Sequence, residues 1–109
     1  MMSESNQNYR VVLCTAGSEA QAAEIARALV ERRLAACVNV VGSICSTYRW
    51  QGKVVEEGES LLIIKTDASR FEALRVAVRE IHSYETPELI AFAVTEGDPD
   101  YLAWLGESL

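Results

Sequence analysis

Short apolar runs alternate along the chain with segments in which apolar residues recur every three or four positions. The apolar runs are rich in β-branched residues and predict strands at residues 10–15, 37–41, 60–66 and 89–95. Helix starts are predicted by capping residues, which lie at Ser18, Ser69 and Asp98. Helical spacing then predicts amphipathic helices over residues 19–33 and 71–82 and a short terminal helix from Pro99.

The central apolar region predicts a long hairpin. Gly42 interrupts its first strand, as at a β-bulge or a bend, and residues 43–50 continue in extended form to a turn at Gly52. The return strand passes an acidic kink at residues 56–59. Residues 43–50 alone would span about 26 Å at ~3.3 Å per residue, and with residues 37–41 added the arm is longer than two short helices can cover. An uncovered arm of this kind is an aggregation hazard, so we expect a neighbouring subunit to cover it and the chain to be an obligate oligomer.

The element order β-α-β-β-α-β is that of the ferredoxin-like sandwich, an α+β fold with an antiparallel sheet and both helices on one face. Here a long central hairpin and a short C-terminal helix are added. We expect one domain over residues 9–109, preceded by a disordered tail at residues 1–8. Because this fold hosts many unrelated functions, activity has to be argued from the site.

Composition excludes several classes of partner. The formal net charge is −6 and the 10 basic residues do not cluster, which disfavours nucleic acid and anionic membranes. No apolar run approaches the roughly 20 residues that span a bilayer, and the polar N-terminus lacks a secretory signal pattern. The three cysteines are odd in number and lack CxxC spacing, so we expect free thiols and a cytoplasmic protein.

The most distinctive side chains fall between the second predicted helix and the last strand. This stretch contains the only histidine, His82, together with Tyr84 and Pro87. Pro87 prevents the helix from continuing, and connections of this kind often carry function. Alternatively, Tyr84 and Pro87 only shape the turn and His82 only ends the helix.

Four stretches together resemble a known family: Val12-Leu-Cys-Thr15, Leu34-Ala-Ala-Cys-Val-Asn39, Tyr48-Arg-Trp-Gln-Gly-Lys53 and His82-Ser-Tyr-Glu-Thr-Pro-Glu-Leu89. In this order and spacing they are specific, and nearly the whole chain from Tyr9 resembles the CutA-type divalent-cation tolerance proteins. The resemblance implies a cytoplasmic ferredoxin-like homotrimer that is linked to tolerance of copper and other divalent cations. It implies no established catalytic reaction.

The resemblance also implies a metal site. In the enterobacterial branch, copper is assigned to a cysteine on the first strand and two adjacent histidines that end the second helix. Cys14 and His82 match two of these positions, and Ile81 occupies the third. Thiolate and imidazole suit copper or zinc, and a carboxylate such as Glu85 or Glu88, water, or a symmetry-related chain would complete the coordination.

A second hypothesis is a trimeric protein that binds a small molecule or signal in a cleft between subunits. The residues expected to line this cleft are Tyr48, Trp50, Lys53, Glu59, Lys65, Tyr84 and Glu88. The two lysines would favour an anion, and Trp50 could stack on a ligand. Alternatively, the aromatic residues only fill a subunit interface.

Catalysis is the hypothesis with least support. The sequence has no Ser-His-Asp order, P-loop, GxGxxG or HExxH motif. Tyr84, His82 and Glu88 would perform acid–base chemistry only if they converge. We therefore expect no enzyme. The remaining alternative is a structural anchoring platform for an unidentified protein, with the exposed side of the terminal helix as the contact surface.

Overall fold

The computed structural model describes residues 8–109, and its helices and strands follow the predicted order. The strands are β1 (Tyr9–Ala16), β2 (Cys37–Trp50), β3 (Lys53–Asp67) and β4 (Ile90–Ala93). The helices are α1 (Glu19–Glu31), α2 (Phe71–Ile81) and α3 (Pro99–Glu107). The predicted tail lies outside the described residues except for Asn8.

The strands form one antiparallel sheet in the order β2-β3-β1-β4. The N-terminal strand is therefore central, with Cys14 opposite Leu62 on β3 and Leu13 opposite Ile90 on β4. This order confirms the α+β prediction of a four-stranded antiparallel sheet. Within residues 8–109, no helix is long and apolar enough to cross a membrane.

The long hairpin is confirmed, with 14 residues in β2 and 15 in β3. The pairing register shifts between Val41 and Ile44, so the bulge predicted from Gly42 is present. At the turn, Gln51 and Gly52 both have positive φ, 50° and 81°, which suits the twist of a two-residue hairpin loop. The kink predicted at residues 56–59 is wrong, because these residues pair with β2 and the ladder overrides their turn-like composition.

Helix capping follows the prediction at two of three sites. Ser18 caps α1 and Asp98 caps α3 through side-chain oxygens that accept backbone N–H groups. The predicted cap at Ser69 is wrong. Asp67 accepts the N–H of Arg70 at 3.0 Å, and the Ser69 hydroxyl donates to that same carboxylate at 2.8 Å. A carboxylate at the end of β3 therefore replaces the hydroxyl as the cap of the turn before α2.

One face of the sheet is covered by α1 and α2. Alternate residues of β1 and β3 on this face are fully buried, among them Val12, Cys14, Leu62 and Ile64. They pack against apolar residues of both helices, such as Ile25 and Leu74. This single cluster is the main core of the subunit.

The opposite face, called here the open face, is apolar but only partly covered. Its apolar residues on the three neighbouring strands β1, β3 and β4 include Val11, Leu13, Leu61, Ile63, Ile90 and Phe92. Ile90 and Phe92 are 50% and 52% exposed. Helix α3 covers only one end of the sheet, where Leu102 and Leu105 pack against Tyr9. The rest of the open face lacks a cover from the described part of its own chain.

Candidate functional site

His82 fixes the connection between α2 and β4 to the end of β1. Its Nδ1 accepts the backbone N–H of Tyr84 at 3.0 Å, so the proton lies on Nε2, which donates to the Thr15 carbonyl at 2.7 Å. The side chain is buried, with 7% exposure. Both ring nitrogens are thus engaged within the fold, and the imidazole positions Tyr84.

Gln21 of α1 holds the same connection from its other side. Its Nε2 donates to the Ile81 carbonyl at 3.4 Å, and its Oε1 accepts the N–H of Ser83 at 2.7 Å. Its contacts join residues 60 and 62 positions apart, and local pattern carries no signal for them.

Tyr84 links the connection to the hairpin. Its hydroxyl donates to Glu59 Oε2 at 2.8 Å, and its ring lies 4.7 Å from that of His82. A Cβ at position 17 would lie 3.0 Å from the tyrosine hydroxyl, so Gly17 leaves the space that Tyr84 occupies. Burial, and then the hydrogen bond to Glu59, raises the pKa of the Tyr84 hydroxyl. The phenol therefore stays a hydrogen-bond donor.

A cleft of about 660 Å³ lies between the hairpin and this connection. Eleven residues line it: Thr15, Ser46, Thr47, Tyr48, Trp50, Glu57, Glu59, Tyr84, Glu85, Thr86 and Glu88. Tyr48 donates its hydroxyl to Glu57, and this bond, ahead of the neighbouring charge, raises the pKa of the phenol. Each of these two tyrosines is thus paired with a glutamate of β3.

Every charged residue that the described chain contributes to the cleft lining is a glutamate. Glu57 and Glu59 lie on β3, and Glu85 and Glu88 lie on the connection. Their field reaches Cys14, whose pKa rises to about 12 through burial first and then through Glu88 and Glu59. The cleft is therefore a region of negative potential that favours cations.

Glu59 is unusual among these carboxylates because its residue is only 9% exposed. Its Oε2 accepts the hydrogen bond from Tyr84, but no Lys, Arg or His of residues 8–109 forms an ion pair with it. Buried glutamates are normally paired with a cation, since a charge taken out of water is costly. Glu59 is therefore the strongest candidate for contact with a cationic ligand.

Five of the seven residues predicted for a cleft between subunits line this cleft within one subunit. They are Tyr48, Trp50, Glu59, Tyr84 and Glu88. Lys53 lies at the hairpin tip opposite Trp50, and Lys65 hydrogen-bonds to Asn39 on β2. Neither lysine lines the cleft, so the two residues on which the anion hypothesis rested lie elsewhere.

Sequence reasoning missed six of the eleven cleft residues, among them Glu57 and Thr15. Glu57 was assigned to a kink, although a strand through residues 56–59 would have placed it on the same face as Glu59. Thr15 contributes its backbone carbonyl, which accepts a hydrogen bond from His82, a residue 67 positions away in the sequence. Glu57 could have been found from period-two alternation, whereas Thr15 could have been found only from the fold.

Cys14 and His82, the predicted metal ligands, meet at one backbone atom. The Thr15 carbonyl accepts from His82 Nε2 at 2.7 Å and from Cys14 Sγ at 3.7 Å. A metal held there would require the thiol, with its pKa of about 12, to lose its proton and the imidazole to release a hydrogen bond. Within the described residues, no group of three His, Cys, Asp or Glu side chains could hold a metal ion. The Cys14–His82 site stays a prediction.

Comparisons with known proteins agree on one family. The family model described as CutA1 divalent ion tolerance protein matches residues 10–108. A divalent-cation tolerance protein CutA from Thermus thermophilus is 51% identical over 98 residues, covering 90% of this chain and 95% of that protein. One from Escherichia coli is 44% identical over 105 residues, covering 96% and 94%. The crystal structure of CutA1 from Oryza sativa matches with a TM-score of 0.91 at 39% identity, covering 95% of each chain.

Proposed function

Because the chain belongs to the CutA1 divalent ion tolerance protein family, we propose that it acts in divalent-cation tolerance as a homotrimer that binds such cations directly. The observation that carries this proposal is Glu59, a nearly buried carboxylate without a cationic partner in the described chain. A divalent cation in the cleft would neutralise it and the glutamates beside it. We propose no catalytic step, since His82 uses both ring nitrogens to position the connection.

Self-association is supported by the open face. Ile90 and Phe92 expose about half of their surface on an edge strand, and Val11 and Leu13 lie beside them on β1. Contiguous exposed apolar residues of this kind mark protein interfaces. Copies of the same chain would cover the face, and we propose three copies, as the family resemblance implies.

The cation would lie where copies meet. One subunit does not bring three ligating side chains of the described residues together, so Glu59 would act with Glu57 or Glu88 and with donors of a neighbouring copy. Carboxylate oxygens coordinate calcium, magnesium, manganese and zinc ions. The alternative proposal, copper at Cys14 and His82, requires both residues to give up their present contacts.

Calorimetric titration of the metal-free protein with Zn²⁺ and Cu²⁺ distinguishes these locations. For the cleft we expect Glu59→Gln to weaken binding about ten-fold or more, because one charged ligand is lost. Cys14→Ser and the off-cleft control Glu96→Gln should bind like the parent. Weaker binding in Cys14→Ser alone would move the site to Cys14 and His82. An absence of saturable binding of either metal would overturn direct binding.

We also propose a cytoplasmic location. Cys14, Cys37 and Cys45 are free thiols, and Cys45 is exposed on the hairpin. Exposed free thiols persist in a reducing compartment and oxidise outside it. Fractionation of cells in which the protein carries an epitope tag tests this, and recovery outside the cytoplasmic fraction would contradict it.

A further inference from the structure

We propose that the cleft also binds a linear organic polyamine, meaning a chain of methylene groups that separates two or more protonated amines. This inference rests on the proposed function, because the same carboxylates are involved, and it names a further class of cation for that site. Three features of the cleft support it: its size, the spread of its carboxylates and its aromatic lining.

The size of the cleft suits a small molecule. Its volume of about 660 Å³ falls within the range of roughly 300–1,000 Å³ that is typical of small-molecule sites. A bound metal ion needs oxygen ligands only about 2.0–2.6 Å away and fills a small part of such a space. Most of this cleft would therefore remain for a larger cation.

The carboxylates of the cleft come from two different elements of the chain. Glu57 and Glu59 belong to β3, whereas Glu85 and Glu88 belong to the connection after α2. Within residues 8–109 they form no cluster that could enclose a metal ion. Separated carboxylates match separated ammonium groups, so a polyamine could place one charge against Glu59 and another against the connection.

The carboxylate of Glu59 is the proposed contact for one ammonium group of the polyamine. It is nine-tenths buried, its Oε2 is fixed by Tyr84 at 2.8 Å, and it makes no other hydrogen bond or ion pair with the described residues. Its second oxygen is thus available to a primary ammonium, which carries three donors. Glu57, Glu85 and Glu88 are exposed and would bind the outer charges.

The aromatic lining favours an organic cation over a bare ion. Tyr48, Trp50 and Tyr84 line the cleft together with the glutamates. Aromatic faces pack against methylene groups and attract ammonium groups through cation–π contacts. Both tyrosine hydroxyls already donate to glutamates, which holds the rings in position. A hydrated metal ion would gain nothing from these faces.

The test is calorimetric titration of the full-length oligomer with spermidine, alongside hexaamminecobalt(III), a compact trivalent cation without methylene groups. We expect about one spermidine per subunit and binding about ten-fold weaker or more in Glu59→Gln, where the amide still accepts from Tyr84. Glu96→Gln, an exposed site outside the cleft, should bind like the parent. Trp50→Leu should weaken spermidine binding about three-fold or more without changing Zn²⁺ binding. Sedimentation of each variant confirms that its assembly is intact.

Two results would overturn the inference: no saturable binding of spermidine, or equal affinity in Glu59→Gln and the parent. Hexaamminecobalt(III) binding as tightly as spermidine would also overturn it, because charge alone would then explain the affinity. If Zn²⁺ binds and spermidine does not, the inference fails and the proposed metal binding stands. If spermidine binds and Zn²⁺ does not, the inference stands and direct metal binding fails.

Discussion

The two faces of the sheet are made from alternate residues of the same strands, yet they differ in how deeply their side chains are buried. Leu62 and Ile64 are fully buried under α1 and α2, whereas their neighbours Leu61 and Ile63 lie on the open face and are only partly buried. Both faces are apolar. The difference is that one cover belongs to the same chain, and the other has to come from outside the subunit.

This contrast extends to the polar groups at the end of the sheet. On the covered side, His82 has a partner for each ring nitrogen. At the cleft, Glu59 is almost as buried but lacks a cation among the described residues. Polar groups under the helices, such as the His82 imidazole, find their hydrogen-bond partners within the subunit. The groups left over, apolar and charged, indicate where a second molecule binds.

Paired substitutions on β3 should show the largest effect and test the contrast directly. Leu62→Ala leaves a cavity in the core and should lower the free energy of unfolding by about 2–5 kcal/mol in denaturant titrations. Leu61→Ala removes the same atoms from the open face. It should cost the dissociated subunit less and instead raise the protein concentration at which the oligomer dissociates. Equal losses of stability with unchanged association would show that the two faces do not differ.

His82→Ala should be next in magnitude. It leaves the half-buried Tyr84 N–H without its acceptor and removes the hydrogen bond to the buried Thr15 carbonyl, so we expect a loss of about 1–3 kcal/mol in chemical denaturation. His82→Asn, which restores part of this hydrogen bonding, should recover some of the loss. Unchanged stability in His82→Ala would mean that His82 does not position the connection.

Cys14 should make the protein sensitive to alkaline pH. Its pKa is about 12 in the fold, whereas an unfolded thiol titrates near about 8.5–9. Above pH ~9 the unfolded state loses its proton first, so stability falls as the pH rises towards about 12, by up to ~1.4 kcal/mol per pH unit. Below pH ~8.5 the Cys14 thiol is protonated in both the folded and the unfolded state, so it does not make stability depend on pH.

Unfolding curves from pH 8 to 11 check this for the parent, Cys14→Ala and Cys45→Ala. The first variant should lose this part of the pH dependence. The second should retain it, because Cys45 is exposed in the fold. Identical pH dependence in all three proteins would contradict the assignment.

Glu59→Gln should have the smallest effect and the opposite sign. The amide retains an acceptor for Tyr84 while it removes a charge that lies near Glu57. In metal-free buffer we therefore expect stability to rise by up to about 1 kcal/mol, since binding residues are often kept at the expense of stability. Thermal unfolding of Glu59→Gln and of the control Glu96→Gln measures this change in stability. A marked loss of stability in Glu59→Gln alone would indicate that the Glu59 carboxylate has a structural role.

Much of the fold was predictable because its signals are local. Apolar runs rich in β-branched residues located the strands, Gly42 located the irregularity in the hairpin, and Ser18 and Asp98 located two helix starts. The errors also have a local origin. The acidic stretch 56–59 resembles a turn in composition, but its backbone pairs with β2 and stays extended.

The site was predictable only in part. Tyr48, Trp50 and Tyr84 were predicted to line a cleft between subunits, because the hairpin and the connection stand out in the sequence, and they line the cleft within one subunit. The sign of the charge in the cleft was not predictable, because Lys53 and Lys65 flank the glutamates of β3 in the sequence and only the fold separates them. The roles of Gln21 and Thr15 depend on contacts more than 60 positions apart, which no sequence pattern reports.

Native mass spectrometry of the metal-free protein, before and after addition of Zn²⁺, tests the central claim most directly. If copies of the chain cover the open face and its cleft takes up cations, the main species should have three times the subunit mass of 12.0 kDa. It should bind about one ion per subunit, and Glu59→Gln should lose the ions while keeping the mass. A species of 12.0 kDa alone, or a trimer whose bound ions persist in Glu59→Gln, would contradict the account.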